Sequence, residues 1–167
     1  DIYAKLDAIS PFSMQEAWDN SGLIIGSFEQ VVSEIVLSID VDEELIDSLN
    51  PNTLLITHHP LIFKGLKRLD FSTYPANLLK KMSDKNISNI AMHTNFDKTH
   101  LGAFVANSVL DYKIIDQDGF IVYLEVNKPF ELFAKNIASS FGISTLKVVK
   151  SADFIKTAAL ITGSGGS

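Results

Sequence analysis

The chain has 167 residues, enough for one ordinary domain or two small ones, and its 46% apolar and 20% charged composition belongs to a folded globular protein rather than a disordered or fibrous one. The absence of cysteine excludes disulfides, thiolate metal sites and cysteine nucleophiles, and it suits a reducing, cytoplasmic setting. Fourteen basic against twenty acidic residues leave a formal charge of −6 with the cations scattered, which argues against direct nucleic-acid binding, and no apolar run has the length of a membrane span or the layout of a signal peptide.

Ile2 to Ile9 reads as a short amphipathic helix ended by Pro11. Ile35 to Ile39 is a compact apolar strand, and Asp42 to Leu49 is an acid-started helix stopped by Pro51. Leu54 to Thr57 reads as a second buried strand, Tyr74 to Met82 as a helix, Ile87 to Met92 as a third strand and Leu101 to Leu110 as another amphipathic helix. After the turn signal Asp116-Gln117-Asp118-Gly119 comes the alternating strand Phe120 to Val126. Pro129 to Phe141 is a helix with proline at its start and Gly142 at its end. Two further strands are expected at Thr145 to Val149 and Thr157 to Thr162. Strands alternating with helices predict an α/β protein with mostly parallel sheets flanked by helices. The pattern change near Lys113 to Gly119 divides it into an N-terminal lobe, 1–112, and the start of a second α/β lobe, 113–167. The closing Gly163-Ser164-Gly165-Gly166-Ser167 reads either as a flexible linker or as a strand-to-helix turn, and the strand leading into it favours the turn.

All four histidines fall between positions 58 and 100. His58-His59-Pro60 follows a buried strand, and His93-Thr94-Asn95-Phe96-Asp97 follows the next. In open parallel sheets, ligands collect at the carboxyl ends of strands, so the two clusters are expected to face one crevice. Pro60 biases His59 towards an extended conformation, and a loop start lets the two rings diverge towards two separate metal ions. Asp97 has two oxygens with which to bridge a pair of cations, which an imidazole cannot do. Imidazole plus carboxylate suits zinc, iron, manganese, cobalt or nickel without choosing among them. His93 fits a supporting or proton-transfer group better than a direct ligand.

Trp18-Asp19-Asn20-Ser21-Gly22-Leu23 is the other unusual segment, readable as a packed aromatic before a turn or as part of the crevice wall. Lys64, Lys67 and Arg68 could meet an anionic substrate or form an ordinary solvated face. Neither phosphate-loop pattern nor serine elbow occurs, which leaves nucleotide binding of those kinds and acyl transfer through serine without support.

Trp18-Asp19-Asn20-Ser21-Gly22-Leu23, Thr57-His58-His59-Pro60-Leu61-Ile62-Phe63 and His93-Thr94-Asn95-Phe96-Asp97, in that order and spacing, resemble the Nif-three-like family, whose bacterial members are often named GTP cyclohydrolase I type-two homologues. The resemblance implies the Nif-three-like fold, a dinuclear divalent-metal site and a ring-shaped homohexamer. It matches His58 and His59 to histidines that each hold one metal, and Asp97 to an aspartate ligand. The family completes its site with a His-x-x-x-Glu pair near the carboxyl end, which this sequence lacks; the expectation is either a longer chain or a degraded site, and the closing turn favours the longer chain. The implied activity is metal-dependent hydrolysis of a small molecule, a nucleotide by the family's name. The alternatives are a non-catalytic metal-binding interaction protein and a metal-dependent phosphoesterase.

Overall fold

The computed structural model describes residues 1–163, and the chain clusters into two compact units, Asp1–Phe96 and Asp97–Ser167. The first unit runs α1 (Ile2–Ile9), a single tight turn at Phe12–Met14, β1 (Gly22–Ile25), β2 (Glu34–Ser38), α2 (Glu43–Ser48), β3 (Thr53–Thr57), α3 (Ala76–Asp84), β4 (Ser88–Ala91) and the short turn α4 (Thr94–Phe96). Local chemistry sets these boundaries. Asp42 caps α2 by accepting from the Leu45 amide at 2.8 Å, with Glu43 and Glu44 in the first turn where the helix dipole favours them. Lys85 closes the other end of α2, its Nζ donating to the Ile46 and Asp47 carbonyls at 2.8 Å and to Leu49 at 3.0 Å. The helix expected from Tyr74 begins two residues later, because Pro75 takes the capping position where its missing N–H costs nothing.

The strands of the first unit lie in the order β1-β4-β3-β2. β2, β3 and β4 are parallel, and β1 joins antiparallel to β4. Successive residues of β3 point to opposite faces: Leu55 packs with Ile46, Leu79, Met82 and Ile87 under α2 and α3, whereas Leu54 packs with Phe12, Ile90 and Met92 under α1. A central strand buried on both sides explains why the chain reads there as an unbroken apolar run.

The second unit holds the wide helical turn Asp97–Leu101, α5 (Gly102–Phe104), a second wide turn Val105–Val109, β5 (Lys113–Asp118), β6 (Ile121–Pro129), α6 (Phe130–Ser140) and β7 (Phe154–Ile161). Its sheet, ordered β5-β6-β7, is antiparallel throughout, unlike the parallel arrangement expected. β5 and β6 are joined by a tight turn at Gly119, too short for a crossover. The chain leaves β6 at Pro129, passes through α6 and returns to the same end at Phe154, which makes β7 antiparallel as well. The core joins Ala106, Leu110, Tyr112, Val122, Leu124 and Val126. The strand expected at Thr145 to Val149 does not form: the segment is irregular and Val149 is exposed. β-branched residues favour a strand only where a neighbour supplies hydrogen bonds and packing. Of the expected glycine turn, residues 164–167 lie outside the described residues. No helix among the described residues is long and apolar enough to cross a membrane.

Candidate metal centre

The register of the first sheet assembles the site. Ser38 of β2 pairs with Thr57 of β3, and Thr57 pairs with Ala91 of β4. Two residues beyond that row, the three parallel strands deliver Asp40, His59 and His93 to the same edge, with His58 one residue before His59. The ladder continues into these residues, because the His58 and His59 amides donate to the Ser38 and Ile39 carbonyls at 3.2 and 2.9 Å. The antiparallel strand β1 starts at that same edge, Gly22 lying opposite Ala91, so the Trp18–Ser21 loop arrives beside His93.

His58, His59 and His93 each bring one ring nitrogen to within 4.8 Å of the others. Their rings stand 4.9 to 5.6 Å apart, so His93 stands beside the His58–His59 pair. The partners of the opposite nitrogens fix the tautomers. His58 Nδ1 lies 3.0 Å from the Met92 carbonyl, His59 Nδ1 2.7 Å from Asp40 Oδ1 and His93 Nδ1 2.7 Å from Asp19 Oδ1. A carbonyl or an ionised carboxylate only accepts, so each ring, when neutral, carries its proton on Nδ1 and its lone pair on Nε2. That is the arrangement by which proteins orient metal-binding imidazoles.

Asp19 is the most heavily supported of these partners. Burial works against its charge, yet hydrogen bonds from His93, from the Thr94 hydroxyl and from the Thr94 and Asn20 amides outweigh burial and hold its carboxyl down at about 2. Its side chain has no exposed surface, whereas Asp40 is 72% exposed and holds His59 at the rim. Ser21 completes the link, its Oγ donating to Asp19 Oδ2 at 2.9 Å and accepting from the His93 amide at 3.2 Å. The sequence placed Asp19 only as a possible wall residue and did not single out Asp40. For Asp40 the available signal was its position just past an apolar strand, the same signal that found the histidines.

Asp97 belongs to the second unit, where it is buried at the start of the first wide helical turn, and His100 is half-buried in the same turn. The donor set fits a divalent metal: imidazole nitrogens, each ring oriented from behind, suit the borderline ions zinc, cobalt, nickel and iron. Elsewhere in the first unit, a cleft of about 460 Å³ is lined by Ile24, Ile62, Leu69, Phe71 and Leu79 with Lys80 and Asp84, and contains none of the histidines.

An α/β fold with a histidine cluster at the strand ends defines a class of candidate metalloprotein. The chain belongs to the Duf34/NIF3 (NGG1p interacting factor 3) family, whose model matches residues 1–167. It is 44% identical over 167 residues to the GTP cyclohydrolase 1 type 2 homolog of Campylobacter jejuni, a match that takes in 99% of this chain and 69% of that protein. It is likewise 44% identical over 168 residues to the GTP cyclohydrolase 1 type 2 of Helicobacter pylori, covering 100% of this chain and 69% of that one. Among solved structures, a Staphylococcus aureus hypothetical protein superposes with a TM-score of 0.81 at 28% identity, over 99% of this chain and 72% of its own.

Proposed function

We propose that this protein is a divalent-metal-dependent hydrolase of a small molecule, with a nucleotide as the substrate class that the names of its cyclohydrolase relatives suggest. The observation that supports the reading is the convergence of three imidazoles whose Nδ1 atoms are all engaged by acceptors. A divalent ion held there supplies positive charge that acidifies water and polarises the bond under attack. His58 and His59 offer Nε2 to it, and Asp97 is added on the family motif alone. His93, backed by ionised Asp19, holds or moves a proton at its Nε2. Two ions per chain, drawn from zinc, iron, manganese, cobalt or nickel, belong to the same proposal, as do a homohexameric assembly and a cytoplasmic location.

A second reading, a metal-binding interaction protein with little catalytic rate, takes its support from the family's description as an interacting factor. GTP turnover by metal-loaded protein separates the two. Turnover that disappears in His58→Ala and Asp97→Ala supports the hydrolase. Bound metal without turnover of GTP or of any simple phosphoester favours the interaction protein, and turnover of a simple phosphodiester alone points to a phosphoesterase.

A further inference from the structure

We propose that Trp18 and Phe63 form a platform on which a flat heteroaromatic ring stacks beside the histidine cluster. This inference rests on the reading of that cluster as a metal-dependent site and names what selects its substrate. Trp18 is 58% exposed and Phe63 42% exposed, although large aromatic side chains release free energy when buried. Single exposed apolar residues are common on protein surfaces, but this pair is distinguished by how it is held. The two ring centroids are 5.8 Å apart at 52°, so the rings do not stack fully on each other and each keeps surface for a third ring. Both stand edge-on to the same imidazole: Trp18 is 6.4 Å from His93 at 76°, and Phe63 is 6.2 Å from it at 77°.

Neighbouring residues fix both positions. Trp18 precedes Asp19, whose enclosed carboxylate is bonded to His93 and Thr94, and the Glu16 amide donates to the Thr94 hydroxyl at 2.9 Å. Asn20 Nδ2 donates to the carbonyl of Ile62, the residue before Phe63, and so ties one aromatic loop to the other. A platform set in advance loses little conformational freedom on binding. Charge supports the choice of occupant. Lys64 follows Phe63 directly, and Lys67 and Arg68 come later in the same loop, all exposed and, among the described residues, with no carboxylate partner. A ligand with both a flat ring and an anionic group, a nucleoside phosphate, meets the rings and the cations together.

Trp18 is the sole tryptophan, so its fluorescence reports on the platform directly. Zinc-loaded protein is titrated with guanosine monophosphate and, separately, with ribose phosphate, which carries the anion without the ring. Saturable quenching by the nucleotide and none by the sugar phosphate is expected. Phe63→Leu should weaken nucleotide binding by about tenfold with zinc per chain unchanged. Trp18→Leu, followed by calorimetry, should do the same, and Trp18→Phe should recover most of the affinity. Equal binding of the two ligands, or nucleotide affinity unchanged in Phe63→Leu and Trp18→Leu, overturns the platform. So does a changed sedimentation coefficient in well-folded variants, which would make the pair a contact between copies. If zinc does not bind, the metal reading fails separately, and the same titration of zinc-free protein still decides the platform.

Discussion

The Asp19 carboxylate, which has no exposed surface, accepts from His93 Nδ1 at 2.7 Å, a contact between residues 74 positions apart in the chain. The same carboxylate accepts from the Thr94 amide at 3.0 Å, and so fixes both the His93 ring and the backbone that presents it. In Asp19→Asn, an amide NH₂ cannot accept at every one of these contacts, and turned towards Thr94 it would set donor against donor. This variant should lose about 1–3 kcal/mol of stability by chemical denaturation. Its metal affinity should fall on the order of 10–100-fold in a chelator competition. Asp40→Asn, at an exposed rim position, should change both quantities less. An equal loss in the two variants would contradict this ranking.

Asp19 also makes a stated contribution to acid stability in the metal-free protein. Its carboxyl titrates at about 2 in the fold against 3.8 ordinarily. A depressed carboxyl pKa contributes stability that is fully present above the unfolded value and is lost as pH falls towards the folded one. Wild-type protein should therefore lose on the order of 1–2 kcal/mol between about pH 4 and pH 2, a figure reduced for solvent screening at the mouth of the site. Asp19→Asn should start from lower stability and lack that step. Parallel acid limbs in the two proteins would remove the carboxylate from the account.

Lys85 is a test of the scaffold alone. Its ammonium meets three carbonyls at the end of α2, and Lys85→Met should leave them short of a charged donor at a cost of about 1–3 kcal/mol. Metal content should not change, because α2 supplies no group to the histidine cluster. Urea midpoints and metal analysis on one preparation check both halves of this expectation.

Gly102 tests the packing of the second unit. A Cβ built there would lie 2.7 Å from Val122 Cγ2, a branched side chain at the centre of the core. Gly102→Ala should destabilise by about 1–3 kcal/mol, and adding Val122→Ala should cost less than the two single changes summed. Strict additivity in the double-mutant cycle would show that helix and sheet are not in contact at this point.

The histidines were legible in the sequence because an unbroken apolar run marks a buried parallel strand, and the residues just past such a run occupy the ligand-bearing edge. Asp19 was not, because its place beside His93 depends on β1, a four-residue strand too short to show alternation and paired antiparallel to a distant segment. β5 escaped notice for another reason: it is an edge strand with mostly exposed side chains, and only Ile114 carries the period. At Thr145 to Val149 the opposite held, strand-forming residues with no strand to pair with among the described residues. The direction of the second sheet depended on where α6 returned the chain, which no local pattern encodes. Trp18 looked like a core aromatic by composition, and only its surroundings show that it faces outward.

If the cluster of His58, His59 and His93 is a metal site, with His58 and His59 as ligands and His93 beside them, metal content per chain by elemental mass spectrometry, with the intact mass measured alongside, decides it. About two divalent ions per chain are expected in the purified protein, with a clear fall in His59→Ala at unchanged circular dichroism. A wild-type protein of verified mass that stays metal-free after incubation with zinc, cobalt, nickel, iron and manganese would contradict it.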